Sequence, residues 1–369
     1  MQKMSNLDYY FAVEEMQKLK GGYLNKAYEP RQGVIRLKFH RDGEVNLLAE
    51  LGVRMHPTKY IEESAGEPSV FAAFLRSGLE NAKVVGVRQL NFDRIVAIDF
   101  EKKRKYSLVF EMFARGNTVL CDENGHILKV YNPEIFSSRK LRQGELYSPP
   151  PNPKKHSSEV AAADLAGLKG KAVSVLSKVV NLPPFYLEEA CARAGIPLDA
   201  PFEGLSDADV RRLLDELKSL TLEKPDPSVY SANGRVSGFS PFPLEKLRGS
   251  GLEMHRYPSF SEALDEFYAN ALPEPEKDRG MEKLSAVLSQ QNAAVASLEE
   301  ESVSAKSSGD EIYRNSALYD EIIAEANALL KRKMPEKEAA AALEKRFGRK
   351  IRLECGSAGA WKAFVGPQS

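Results

Sequence analysis

The stretch SPPPNPKKHSSE, residues 148 to 159, limits the fold more than any other, because four prolines within six positions cannot continue a strand or a helix. It divides two kinds of pattern. Before it, apolar residues mostly alternate, as in strands. Ile35, Leu37 and Phe39 share one face while Arg36, Lys38 and His40 share the other, ahead of an Arg41-Asp42-Gly43 turn and a second strand through Val45 and Leu47. That hairpin is expected to carry a basic outer face. The stretches QLNFDRIVAIDF (89 to 100), KYSLVFEMF (105 to 113) and NTVLCDENGHILKVY (117 to 131) are separated by Lys/Arg-rich or Asn-Gly turns, as in an antiparallel meander. Two helices accompany them. Ser5 and Asp8 fit a capping box ahead of Leu7, Tyr10, Phe11 and Met16, with a stop at Gly21-Gly22. After Pro68 a second amphipathic helix runs through Phe71, Phe74, Leu75 and Leu79. Residues 1–155 therefore read as a β-rich α+β domain.

Residues 156–222 are helical in pattern, with KAVSVLSKVV, FYLEEACARAG and the capped SDADVRRLLDELKSL forming a compact module. NLPP, at 181 to 184, would be the hairpin of a helix-hairpin-helix. Such a hairpin normally approaches phosphate through backbone N–H groups, and proline has none, so a packing role is expected here. Residues 223–275 return to short apolar runs and end in a helix at SFSEALDEFY, with strands that could rejoin the first domain. Residues 276–308 carry a seven-residue stripe at 281, 284, 288, 291, 295, 298, 302 and 305, which suggests a coiled-coil arm able to self-associate. A stripe needs a partner. Either a turn at Ser308-Gly309 returns the chain as a helix from Asp310 to Lys333, with Ile312, Tyr319, Ile322, Ala326 and Leu329 on one face, or the partner lies beyond Ser369. Residues 309–369 end in EKEAAAALEKRF, KIRLEC and WKAFVG, read as a small α+β middle domain cut short at Ser369.

Bulk properties exclude several functions. The 52 basic and 52 acidic side chains cancel, so any polyanion site must be regional. Three cysteines without C-x-x-C spacing support neither a disulfide framework nor a metal site. No apolar leader and no run of 18 apolar residues occurs, so a cytoplasmic protein without a membrane partner is expected. Phosphate-loop, zinc-protease and nucleophile-elbow motifs are missing, and no cofactor is implied. Formamidopyrimidine-type DNA glycosylases also join a β-rich domain to a helical nucleic-acid module, but attack with the amine of an N-terminal proline. This chain opens Met1-Gln2-Lys3. A nucleic-acid glycosylase or a matrix adhesin are the rival readings, and no catalytic residues are assigned.

One residue resists the pattern. In QLNFDRIVAIDF, Arg94 occupies the row of Leu90, Phe92, Val96, Ile98 and Phe100, where an unpaired guanidinium would cost several kcal/mol to bury, on the order of 3 to 5. Either the strand begins only at Ile95 and 91 to 94 is a turn, or Arg94 is buried against Asp93, Asp99 or Glu111, or Asp93 and Arg94 present an acceptor and a forked donor to RNA. Asp8 has a sufficient structural role as a helix cap. The basic segments Lys102-Lys103-Arg104, Arg139-Lys140 with Arg142, and PKKH (153 to 156) are ordinary solvated turns, yet with Arg36, Lys38, Arg54 and His56 they would make a phosphate-contact surface.

SNLDYYFAVEEM, EVNLLAELGVRMHPT, PSVFAAFLRSGLE, QLNFDRIVAIDF, LVFEMFARGNTVLCDENGHIL, NLPPFYLEEACARAGI and PSFSEALDEFY together resemble, in order, the NFACT family, with wording closer to its archaeal branch. Its members include RqcH and NEMF, and were once labelled fibronectin-binding protein A. The resemblance implies a ribosome-associated quality-control factor that binds a large ribosomal subunit obstructed by peptidyl-tRNA. Such a factor recruits aminoacyl-tRNA, chiefly alanyl-tRNA in prokaryotic members, so that the ribosome adds an untemplated C-terminal tail. It further implies tRNA-recruiting roles for Asp8 and for the Asp93-Arg94 pair. Family members continue into a returning helix and a basic last domain that nothing here matches, so the chain is expected to be an N-terminal fragment.

Overall fold

The computed structural model describes residues 1–62, 67–271, 279–355 and 361–368. In chain order the elements are α1 (Asn6–Met16), β1 (Tyr23–Arg31), β2 (Val34–His40), β3 (Glu44–Glu50), β4 (Arg54–Thr58), α2 (Val70–Leu79), β5 (Lys83–Gln89), β6 (Ile95–Glu101), β7 (Lys105–Glu111), β8 (Asn117–Asp122) and β9 (Ile127–Val130). Then come β10 (Glu134–Ile135), β11 (Lys140–Leu141), α3 (Ala162–Leu165), α4 (Ala172–Val179), α5 (Pro184–Arg193), α6 (Asp207–Ser219), β12 (Ser228–Ala232), β13 (Arg235–Ser240), β14 (Glu253–Arg256) and α7 (Phe260–Asn270). The chain ends in α8 (Arg279–Arg314), α9 (Ser316–Lys331), α10 (Glu336–Phe347), β15 (Arg349–Cys355) and β16 (Trp361–Gln368).

Nine strands form one antiparallel sheet in the order β4-β3-β2-β1-β5-β6-β7-β8-β9. The join between β1 and β5 is the single pair Tyr23 and Lys83, so the sheet is two meanders that meet at a narrow seam. Their apolar faces share one core, where the Phe39 and Phe100 rings stack 6.4 Å apart. Burying each such ring contributes about 1.5 to 3 kcal/mol. Helix α1 starts where the Ser5–Asp8 capping box predicts. Leu7, Tyr9, Phe11, Ala12 and Met16 are all buried, and the helix is covered on most sides by β4, β5, β6 and α7.

Residues 1–273 form one compact unit, and the Pro-rich segment marks a change from sheet to helices within it. Helices α4 and α5 pack as a hairpin across Asn181-Leu182-Pro183, with Pro184 opening α5. Strands β12 to β14 make a separate three-stranded sheet. Phe242 and Phe239, from the same segment, lie against Phe11 and against Phe260 and Phe267 of α7. Cys121 and Cys191 are free and buried. Among the described residues no helix is long and apolar enough to cross a membrane.

Residues 274–369 form a second unit with its own core of Ile322, Ala326, Ala339, Leu343, Ile351 and Leu353. The expected turn at Ser308-Gly309 is corrected: α8 runs through both residues to Arg314, and the break comes at Asn315. One glycine costs a helix only about 1 kcal/mol against alanine, too little to end a 36-residue run. Along the stripe Val295 and Leu298 are exposed, whereas positions 281, 284 and 288, like Ile312 of the expected returning face, lie outside the described side chains.

The stretch 89 to 100 is not one strand but follows the alternative in which the strand begins only at Ile95. Strand β5 ends at Gln89 and β6 begins at Ile95, and between them Asn91 and Phe92 take φ values of 53° and 50°. Alternation by sequence survived this interruption only because a tight turn of five residues returns the next strand in the same phase.

Candidate functional site

The turn that carries Asp93 and Arg94 is held by bonds from three directions. Leu90 N–H donates to Ile95 O at 2.9 Å and Asp93 N–H to Leu90 O at 2.9 Å. Asparagine accepts a left-handed backbone readily, but phenylalanine there stores on the order of 1 to 3 kcal/mol. Two features offset that strain. The Phe92 ring is buried, 4.1 Å from the His156 ring and 6.0 Å from Tyr10. Its carbonyl accepts from Asn6 Nδ2 at 3.1 Å and Asn181 Nδ2 at 2.9 Å. Gln89 Nε2 then donates to Asn6 O at 2.7 Å and to Asp93 O at 2.8 Å. Three amide side chains thus tie α1, the turn and the link between α4 and α5 together.

Asp93 and Arg94 do not form an ion pair with each other. One Asp93 oxygen accepts from the Arg94 backbone N–H at 2.7 Å and the other from Asn152 Nδ2 at 3.3 Å. Every acid considered as a partner for Arg94 is engaged elsewhere. Glu111 accepts a fork from Arg139 and the Tyr147 hydroxyl at 3.0 Å, while Asp99 accepts Arg88 at 2.7 and 3.2 Å. Among the described residues the half-buried Arg94 guanidinium has no hydrogen bond or ion pair. Of the alternatives left open by the sequence, the turn is the one found, and it leaves a forked donor unsatisfied.

Asp8 is buried at the start of α1. One carboxylate oxygen caps Ser5 N–H at 2.6 Å, and the other accepts the Tyr186 hydroxyl of α5 at 2.5 Å. Burial pushes its pKa up to about 6, against the opposing effect of the Tyr186 and Ser5 hydrogen bonds. The Tyr9 phenol, which has no hydrogen-bond partner among the described residues, feels both groups: burial raises its pKa, the Asp8 charge adds to the rise, and Arg94 opposes it. Asp8 and Arg94 therefore lie within electrostatic reach of one buried ring. Neither Tyr186 nor the amides of Asn6, Gln89, Asn152 and Asn181 were singled out from sequence, where isolated amides and a lone tyrosine have no signature spacing.

Three positions of the expected basic surface are turned away from water. Arg36 is only 6% exposed, donates to Asn46 Oδ1 at 2.9 Å and stacks 4.0 Å from the Tyr28 ring. His56 is fully buried beside Tyr268, and burial lowers its pKa to about 3, so it stays neutral. Arg139 is closed on Glu111 and on Ser148 O at 3.0 Å. These faces are covered by other elements of the fold instead of by water. Lys38 and Arg54 are half-buried and paired, with Glu44 at 2.6 Å and Glu50 at 3.0 Å. Lys102, Lys103, Arg104, Lys140 and Arg142 are exposed.

A family model described as the NFACT N-terminal and middle domains matches residues 6–354. The chain belongs to the NFACT family. The "Archaeal Rqc2 homolog aRqcH" of Methanocaldococcus jannaschii is 28% identical over 348 residues, covering 87% of this chain and 51% of that protein. "Ribosome quality control complex subunit NEMF" of Mus musculus is 26% identical over 311 residues, covering 72% of this chain and 28% of its own length. This NFACT chain thus spans about half the length of the archaeal relative and less of the mouse one. Two solved structures share the fold. A fibrinogen binding protein from Staphylococcus aureus superposes with a TM-score of 0.61 at 21% identity over 72% of this chain and 98% of its own. The N-terminal part of a fibronectin/fibrinogen-binding protein from Streptococcus suis gives 0.60 at 19% over 72% and 99%.

Proposed function

We propose that this NFACT chain acts in ribosome quality control, binding large ribosomal subunits obstructed by peptidyl-tRNA and recruiting aminoacyl-tRNA, alanyl-tRNA first, for untemplated C-terminal tailing. Its relatives carry quality-control names, which supports the process. The observation that carries the site is the unsatisfied Arg94 guanidinium, held on a strained and bonded turn next to α1. Arginine presents a rigid fork suited to phosphate oxygens or to a base edge. Asp93 aims the arginine through its backbone instead of neutralising it. Asp8, saturated by Ser5 and Tyr186, acts as a positioning residue that fixes α1 against α5. The exposed Lys102, Lys103, Arg104, Lys140 and Arg142 add screened backbone contacts.

In this reading the protein is noncatalytic, and the ribosome makes each peptide bond. The β-rich part is read as resembling the glycosylase N-terminal domain, and α4 and α5 as a helix-hairpin-helix whose Pro183-Pro184 turn serves packing. The fibrinogen- and fibronectin-binding titles belong to structures similar in fold alone. The test is capture of large ribosomal subunits and tRNA by the wild-type chain and by an Asp93→Ala, Arg94→Ala double variant. Loss of tRNA with subunit binding kept is expected. Equal tRNA recovery by both proteins would remove the site.

A further inference from the structure

A second group of cations lies on other elements and serves no role described above. The Tyr28 ring of β1 has Arg36 Cζ 4.0 Å from its centroid, Arg76 Cζ at 5.1 Å and Lys26 Nζ at 5.6 Å. Register explains the cluster. Tyr28 pairs with Arg36 and Lys26 with Lys38 across β1 and β2, while Arg76 reaches in from the last turn of α2, its Nε donating to Ala27 O at 2.7 Å. Lys38 is neutralised by Glu44, but among the described residues Lys26, Arg36 and Arg76 have no carboxylate within ion-pair distance. The deepest of them, Arg36, has a buried Nε with no hydrogen-bond partner.

Three uncompensated cations about one ring repel each other, and the ring quadrupole attracts a cation far more weakly than a full negative charge does. A buried guanidinium without a counter-charge is a penalty the fold retains only if something offsets it. We propose that Lys26, Arg36 and Arg76 around Tyr28 form a binding site for a phosphate group. A phosphate offers several acceptor oxygens for the two half-buried cations, while the buried Arg36 on the same ring supplies fixed positive charge. The group could be a free phosphate or one in an RNA backbone. This site does not depend on the role proposed for Asp8, Asp93 and Arg94.

The test is thermal unfolding of the full chain in phosphate against chloride at equal ionic strength, with Lys26→Ala, Arg36→Gln and the exposed Lys224→Ala as a control. Phosphate is expected to raise the wild-type and control midpoints by several degrees more than chloride, and to lose most of that increment in the two site variants. Lys26→Ala keeps the test valid should Arg36→Gln fold poorly. Fluorescence anisotropy with a short RNA then separates the sources. Binding weakened about tenfold in Lys26→Ala and competed by phosphate identifies a backbone site. Unchanged RNA binding with lost phosphate protection identifies a free-phosphate site. Equal midpoints in phosphate and chloride, or site variants that keep the wild-type increment, would overturn the proposal.

Discussion

Arg94 and Arg139 stand at opposite treatments of the same side chain. Arg139 is almost fully buried, gives both arms of its fork to Glu111, takes Ser148 O as a third acceptor and lies 5.0 Å from the Phe136 ring. Arg94 shows its guanidinium half-buried with no acceptor among the described residues, although its backbone N–H and carbonyl are both engaged. The contrast separates an arginine that fastens the fold from one whose capacity is left over. Glu111 serves the first, accepting Arg139 and the Tyr147 hydroxyl, while among the described residues no carboxylate serves the second.

The largest effect that could break this comparison is Arg139→Ala. It leaves Glu111 as an uncompensated buried charge and should destabilise the protein by about 3 to 5 kcal/mol in urea unfolding. A loss under about 1 kcal/mol would mean that this pair is no more structural than a surface bridge. Asp8→Asn comes next, through pH. From its ordinary value of 3.8 up to about 6, the folded protein keeps the Asp8 proton that the unfolded chain has shed. Stability therefore falls by about 3 kcal/mol as pH rises across that window, and stays lowered above it. The asparagine variant should lack this component, so its midpoint should gain on wild type between pH 4 and 7; parallel pH profiles would place Asp8 in water. The smallest effect is the sharpest. Arg94→Ala should change stability by no more than about 0.5 kcal/mol, because the side chain makes no bond to lose. A cost near that of Arg139→Ala would show that Arg94 is a structural residue after all.

Much of the scaffold was legible because it follows local rules. The Ser5–Asp8 and Ser206–Asp209 caps, the Asn124-Gly125 turn and the alternation in β2, β3, β7 and β8 each declare themselves within a few residues. The site was only half legible. Asp8, Asp93 and Arg94 came from a family resemblance, and the partners that define their states are distant: Asp8 meets Tyr186 at 178 positions, and Asn181 reaches Phe92 at 89. No period in the sequence records such contacts. The outer face of the first hairpin was misjudged for a related reason. Alternation tells which residues share a side but not whether that side meets water, and here Tyr28 lies on Arg36 while Tyr268 lies against Arg54 and His56.

The bonds of α1 also set an order of events during synthesis. Gln2 bonds Phe239 across 237 positions, and the Glu15 carboxylate receives the N–H groups of Phe260 and Ser261 at the start of α7. Helix α1 thus leaves the exit tunnel long before α7 and is among the last elements of its unit to be housed. At about 5 to 20 residues per second, its apolar sides wait roughly 10 to 50 seconds for the segment that encloses them. A nascent chain of this kind has reason to be sheltered by a chaperone over that interval, and to complete its central packing only once α7 has emerged.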